Sequence, residues 1–272
     1  MSMYTLDGKD LDDPQGRWVL EHGTNLSSWG EPRLTSVDVP HKFGVIPIPN
    51  GVLGVASVVL KFRVFSWSDG GVSRCKGSLA DLDANLRALV NRILVLGRLP
   101  VLGFTPAGGT LRVAKVRLKN SLEPEYDPES MTAALTVTLE IPDGQWHDPQ
   151  PTVQPLASLT QLSGGTSPIY DAVLMLAPSS NEMVVTDNVS GSTLTWKGSN
   201  PIPTDERILV DVESYTAYQQ RSVEWEIKSD AQDVSGQISM SYGGFRLAPG
   251  TDGALSVTAK GGTGYVSARR AY

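Results

Sequence analysis

The chain has 272 residues, enough for one large or two ordinary domains with a sizeable core. Hydrophobic residues make up 40% and charged residues 19%, too apolar for a disordered chain, and 27 glycines with 18 prolines point to many turns. A net charge of −6 excludes a broad basic footprint for nucleic acid or anionic membrane, while remaining compatible with a mildly acidic wall past which DNA slides.

The opening MSMYTLDGKDLDDPQGRW lacks the apolar stretch of a secretory signal, so a soluble product made in a cytoplasm is expected. Val52–Leu60, the most apolar run, is far too short for a membrane span. Val58–Phe65 (VVLKFRVF) is β-branched and aromatic, with Lys61 and Arg63 alternating to give one wet face. Cys75 is the only cysteine. It permits neither an intrachain disulfide nor a cysteine-based metal cage and reads as a buried structural thiol. Next comes a helix over 78–97: Leu79, Leu82, Leu86, Leu89, Val90, Ile93 and Leu96 recur at three- and four-residue steps. Ser78 is its N-cap, Asp81 lies in its first turn and Gly97 is its stop. The leucine stripe is core packing against a sheet, with nothing of a cofactor box.

Leu111–Leu118 (LRVAKVRL) alternates Leu111, Val113 and Val116 against Arg112, Lys115 and Arg117, with one slip that predicts a bulge. Met131–Ile141 is a further strand, with Leu135, Val137, Leu139 and Ile141 facing one way. Residues 141–157 (IPDGQWHDPQPTVQPLA) are proline-rich, and their second half has neither helical nor strand periodicity. This places a domain break near 150, dividing the chain into 1–150 and 151–272 across a semi-rigid connection.

Beyond the break the pattern is strand after strand: Asp171–Ala177, the hairpin Met183–Thr186 with Leu194–Lys197, Arg207–Val212, and Ser222–Lys228. In the last of these Val223, Trp225 and Ile227 alternate with Glu224, Glu226 and Lys228. Short strands separated by glycine-rich turns complete a β-sandwich of jelly-roll type. The hairpin turn holds Asp187, Asn188, Ser190 and Gly191. Asn188 tolerates left-handed angles and Asp187 or Ser190 can bond local backbone, so the turn reads as a sandwich corner rather than a ligand loop.

Sites for chemistry are scarce. His22, His41 and His147 lie in separate segments without metal-ligand spacing. His147 adjoins Asp148, but neighbours on an extended chain point opposite ways, so a solvated linker histidine is expected. The Gly-Gly-Thr triplets at 164–166 and 261–263 lack the context of a phosphate loop, and no nucleophile elbow is present. Glu123, Glu125, Asp127 and Glu129 read as a solvated turn, neither carboxylates held across a cleft nor an EF-hand calcium loop. Trp196 and Trp225 fall within strands and read as core. Trp18, Trp29, Trp67 and Trp146 lie nearer loops, with Trp146 plugging the linker. No catalytic, cofactor-binding or metal residue is assigned, and no enzyme activity is expected.

Taken in order, these pieces resemble the distal tail (minor tail) proteins of long-tailed bacteriophages. The likeness rests on YTLDGKDLDD, then VDVPHKFGVIPI with its P-x-x-x-G segment, then strand, helix and strand leading to TVTLEIPDGQW. It continues through IYDAVLMLAPSSNEMVVTDNVSGSTLTWKG and IPTDERILVDVESYTAY, and the ending GYVSARRAY is similar to tails found in phages of actinobacteria. The resemblance implies a mainly β fold: an N-terminal split β-barrel with one helix, and a C-terminal galectin-like β-sandwich. It further implies a virion protein of the tail tip, a hexameric ring hub joining the tail tube protein to baseplate or tip proteins and letting DNA pass. It implies no catalytic residues, no cofactor, no membrane and no specific nucleic-acid binding. The length leaves no room for the inserted carbohydrate-binding modules of enlarged members. The alternative is a carbohydrate-binding protein that recognises a host cell-surface glycan through its C-terminal domain. A polysaccharide-cleaving enzyme, the third reading, lacks its carboxylate pair.

Overall fold

In the computed structural model, residues 3–24, 30–38, 45–67, 77–199, 202–221 and 223–272 are described. Cys75, His41, Trp29 and Pro40–Gly44, for which expectations were stated, lie outside them. The chain divides into two units, Met1–Trp146 and His147–Tyr272.

In the first unit β1 (Tyr4–Leu6), β2 (Lys9–Asp10), β3 (Trp18–Leu20), β4 (Pro32–Asp38), β5 (Val45–Leu53) and β6 (Ala56–Phe65) precede helix α1 (Leu79–Ile93). After it come β7 (Val101–Phe104), β8 (Arg112–Lys115), β9 (Arg117–Leu118), β10 (Pro124–Asp127) and β11 (Thr132–Ile141). One sheet has the order β2-β1-β7-β8. The other runs β10-β11-β6-β3, with β9 also on β11, and β4 pairs with β5. Asp7 and Gly8, with φ of 50° and 75°, make the left-handed turn that folds β2 back on β1. The long ladder pairs Ala56–Phe65 with Thr132–Ile141 in unbroken register. Period-two alternation buries Val58, Leu60, Phe62 and Val64 on β6 against Leu135, Val137, Leu139 and Ile141 on β11.

Two expectations in this unit are corrected. The slip in Leu111–Leu118 is a change of sheet and not a bulge: β8 pairs with β7, whereas β9 pairs with β11. Val116, fully buried, is the crossing point, its N–H donating to Pro100 O at 2.9 Å. The inward residue of β8 is accordingly Ala114, and Leu111 is exposed. Second, α1 ends at Ile93 rather than near Gly97. Ser78 and Asp81 form a reciprocal capping box at its start, and Leu82, Leu86, Leu89 and Ile93 are buried where the helix packs on β6 and β11. Leu79 and Leu96, expected in the same stripe, are 61% and 81% exposed. Past Ile93 the stripe is no longer buried, Leu94 being exposed like Leu96, and tertiary burial, more than leucine spacing, sustains a helix of this length. Asn85, buried on the same face, donates to Phe65 O and Trp67 O and satisfies the carbonyls where β6 ends.

The second unit comprises β12 (Thr152–Pro155), β13 (Val173–Pro178), β14 (Glu182–Asp187), β15 (Thr193–Lys197), β16 (Arg207–Asp211), β17 (Thr216–Gln220), β18 (Gln232–Asp233), β19 (Ile238–Met240), β20 (Val257–Lys260) and β21 (Gly262–Ala268). A six-stranded sheet (β12-β21-β13-β16-β17-β18) and a four-stranded sheet (β19-β15-β14-β20) share one core. Leu174, Leu176, Ile208 and Val210 of the first meet Met183, Val185, Leu194 and Trp196 of the second, a β-sandwich. The protein is thus mainly β.

Here too the structure departs from the sequence pattern. The proline-rich 141–157 stretch contains a strand, β12, paired along β21. The expected strand 222–228 is not one over its described residues, Val223–Lys228: Val223 is 71% and Ile227 54% exposed, and Trp225 is half-buried. The outer edge of β17 is taken by β18, and the buried Gln220 side chain fastens the loop instead. Gln220 donates to Glu224 O and Glu226 O and accepts from Lys228 N–H.

Candidate functional site

The polar groups that draw attention in the sequence are occupied by folding. At the 184–198 hairpin, Met183 faces Trp196 and Val185 faces Leu194. Asp187, fully buried, accepts from Ser190 N–H at 2.7 Å and Ser190 O–H at 2.6 Å, and Gly191 closes the turn at φ 71°. Asn188 is not left-handed; its side chain donates to Ser256, just before β20, and accepts from Thr258 within it.

His147 is buried and bridges to Ala271, which corrects the expected solvated linker histidine. Its neighbour Asp148 turns to the chain's end, accepting from Arg270 Nε at 2.7 Å and Tyr272 O–H at 2.9 Å. That contact holds the Arg270 guanidinium more firmly protonated. Arg269 pairs with Asp171 at 2.6 Å, so the ending GYVSARRAY is fastened into the second unit. The Gly-Gly-Thr triplets serve the same packing. A Cβ on Gly165 would lie 2.5 Å from Ala271 O, and one on Gly261 2.2 Å from Glu182 O. His22 is exposed and belongs to the first unit, whereas His147 belongs to the second.

The acidic run 123–129 is mostly an edge strand, β10, and not only a turn. Asp127 accepts from Ser130 O–H at 2.5 Å and from the Glu129 and Ser130 N–H groups, which holds its carboxyl below the usual range. No group of three or more metal-ligating side chains occurs among the described residues. Of the tryptophans, Trp18, Trp146 and Trp196 are buried, and Trp67 stacks on Phe65 at 4.3 Å. Trp146 packs on Phe104 inside the first unit, at 5.8 Å.

What remains accessible includes outer strands and exposed apolar side chains. In the first unit, β10 and β8 are outer strands of their sheets, with no strand on their far sides among the described residues. Beside β10 lies an open apolar groove of about 600 Å³ lined by Leu79, Leu82, Tyr126 and Met131. Leu94, Leu96, Leu99, Val101 and Leu111 form a second set of exposed apolar side chains around the end of α1 and the β7–β8 pair. The sequence signal for these faces is charge segregation. From Ala84 to Leu122 there are Arg87, Arg92, Arg98, Arg112, Lys115, Arg117 and Lys119 and no acidic residue, followed at once by the acidic β10 segment.

A split β-barrel with a helix, followed by a β-sandwich, defines the class of fold. Among solved structures, the chain is similar along its whole length to the SPP1 Dit protein (gp 19.1), described as a paradigm of the hub adsorption apparatus in phages that infect Gram-positive bacteria. The match covers 99% of this chain and 98% of that one, at 11% identity and a TM-score of 0.56. Two structures of the phage p2 baseplate in its activated conformation, with strontium and with calcium, match 94% of this chain and 91% of the other at 12% identity. Their TM-scores of 0.39 and 0.38 are too low to carry an argument. No family profile matches the sequence. No curated protein matches it either. The Dit likeness therefore establishes the fold.

Proposed function

We propose that this chain is a structural protein of a long-tailed phage's tail tip. In this reading six copies form a ring hub that joins the tail tube to baseplate or tip proteins and leaves a lumen for DNA. The observation that carries it is the end-to-end correspondence with a phage hub protein, which takes in 99% of this chain and 98% of that one. The polar chemistry fits: buried carboxylates, the buried histidine and the glycine triplets are engaged in turns and packing, and the net charge of −6 suits a lumen that does not hold DNA. The C-terminal unit is the part proposed to dock neighbouring tail proteins. Placement with phages of actinobacteria belongs to the same proposal and rests on the ending Gly264–Tyr272.

A glycan-binding reading needs exposed tryptophan beside Asp or Asn. In the C-terminal unit, where that reading places the site, Trp196 is buried in the core and the half-buried Trp225 is flanked by the glutamates Glu224 and Glu226, which weighs against it. Light scattering with negative-stain imaging of the purified chain tests the proposal. A six-fold ring with a central hole is expected; a chain that stays monomeric at all concentrations and binds a sugar on a glycan array overturns it.

A further inference from the structure

We infer that copies of this chain meet head to tail, the acidic apolar edge β10 of one copy seating on the basic apolar edge β8 of the next. The inference rests on the ring reading above and names its contact. A closed ring of more than two identical subunits needs two different, complementary patches on each. The first unit carries such a pair. Around β10 are Glu123 and Glu125, with exposed Tyr126 and Leu79 opening the apolar groove. Around β8 are exposed Lys115 and half-buried Arg112, with exposed Leu96, Leu99 and Leu111.

The patches are well separated. Helix α1 has 15 residues, so its ends lie about 21 Å apart. Its first turn lines the groove, and the leucine-rich patch begins at its last. Complementary charge selects the orientation: acidic against basic steers the encounter, whereas edge against like edge is repelled. Outer strands left without a partner are natural contact lines between subunits. The other edge of the β8 sheet, β2, is a poorer partner, because its own exposed residues, Lys9 and Asp10, carry opposite charges, and the carboxylates beside it are engaged within their own unit. Asp7 pairs with Arg98, Asp13 pairs with Arg17, and Asp12 accepts from Leu20 N–H. Glu125 and Lys115, by contrast, are exposed and make no ion pair among the described residues.

The test uses the full chain and two variants, the double variant Glu123→Lys with Glu125→Lys and the single variant Lys115→Glu, with folding checked by circular dichroism. Sedimentation velocity over a concentration series reads assembly. Each variant alone should need about tenfold or more higher concentration to assemble, since like charges then face each other. An equimolar mixture should recover wild-type assembly, because one variant now carries two basic faces and the other two acidic ones. Assembly of each variant at the wild-type concentration overturns this contact and leaves the ring reading standing. Loss that the mixture does not repair also overturns the contact. A wild-type chain that never assembles and yields no bismaleimide cross-link between Glu125→Cys and Lys115→Cys copies overturns ring and contact together.

Discussion

Asp7 shows how much one side chain holds in place. It sits in a left-handed turn at φ 50°, accepts from Arg98 at 2.5 Å and from Val101 N–H at 3.0 Å, and so ties the β1–β2 turn to β7. The Arg98 hydrogen bond is the main cause that holds its carboxyl below the usual range, with burial opposing. A depressed folded-state value means stability that is complete above the unfolded aspartate value, about 3.9, and lost as pH falls through the lower folded value. Asp7→Asn keeps tolerance for the left-handed turn and an acceptor oxygen but removes the charge. The variant should therefore melt below wild type at pH 7, with the gap closing as the pH is lowered toward 2. A gap that stays constant across thermal melts in that range would show that charge is not the contribution. The Asp-Gly turn itself is legible in the sequence; its Arg98 partner, far along the chain, is not. His147 makes the same point, since adjacency to Asp148 says nothing about a bridge to Ala271.

At the level of elements, α1 separates local from tertiary causes. Its capping box and leucine spacing are visible in the sequence, but its length is decided by the sheet beneath it. Ser78→Ala should cost about 1 kcal/mol as a lost cap, whereas Leu89→Ala, at a fully buried position, should cost about 2–5 kcal/mol. Denaturant unfolding followed by tryptophan fluorescence would measure both, and equal losses would refute the claim that packing sustains the helix. The β8–β9 step was half-legible. Its broken alternation marks an irregularity at Val116, yet a bulge and a change of sheet write the same local pattern. Ser222–Lys228 misled for the converse reason. Perfect alternation carries no force where the neighbouring edge already has its partner and Gln220 binds the loop backbone.

For the whole molecule, the two units have separate cores; that of the second draws only on residues between Leu156 and Ala271. A fragment spanning 147–272 should accordingly unfold with one cooperative thermal transition, and a fragment that melts without one would mean that its core is incomplete. The sequence alone determined the mainly β class, the single long amphipathic stripe and the turn at Gly191. Each depends on short-range periodicity or on the backbone freedom of one residue. Tertiary structure decided which strands share a sheet, where α1 stops, and that the polar tail closes on Asp148 and Asp171. It also decided that β8 and the acidic β10 are outer strands of two different sheets. These outcomes depend on pairings between residues distant in the chain, and local pattern carries no information about which distant partner is available.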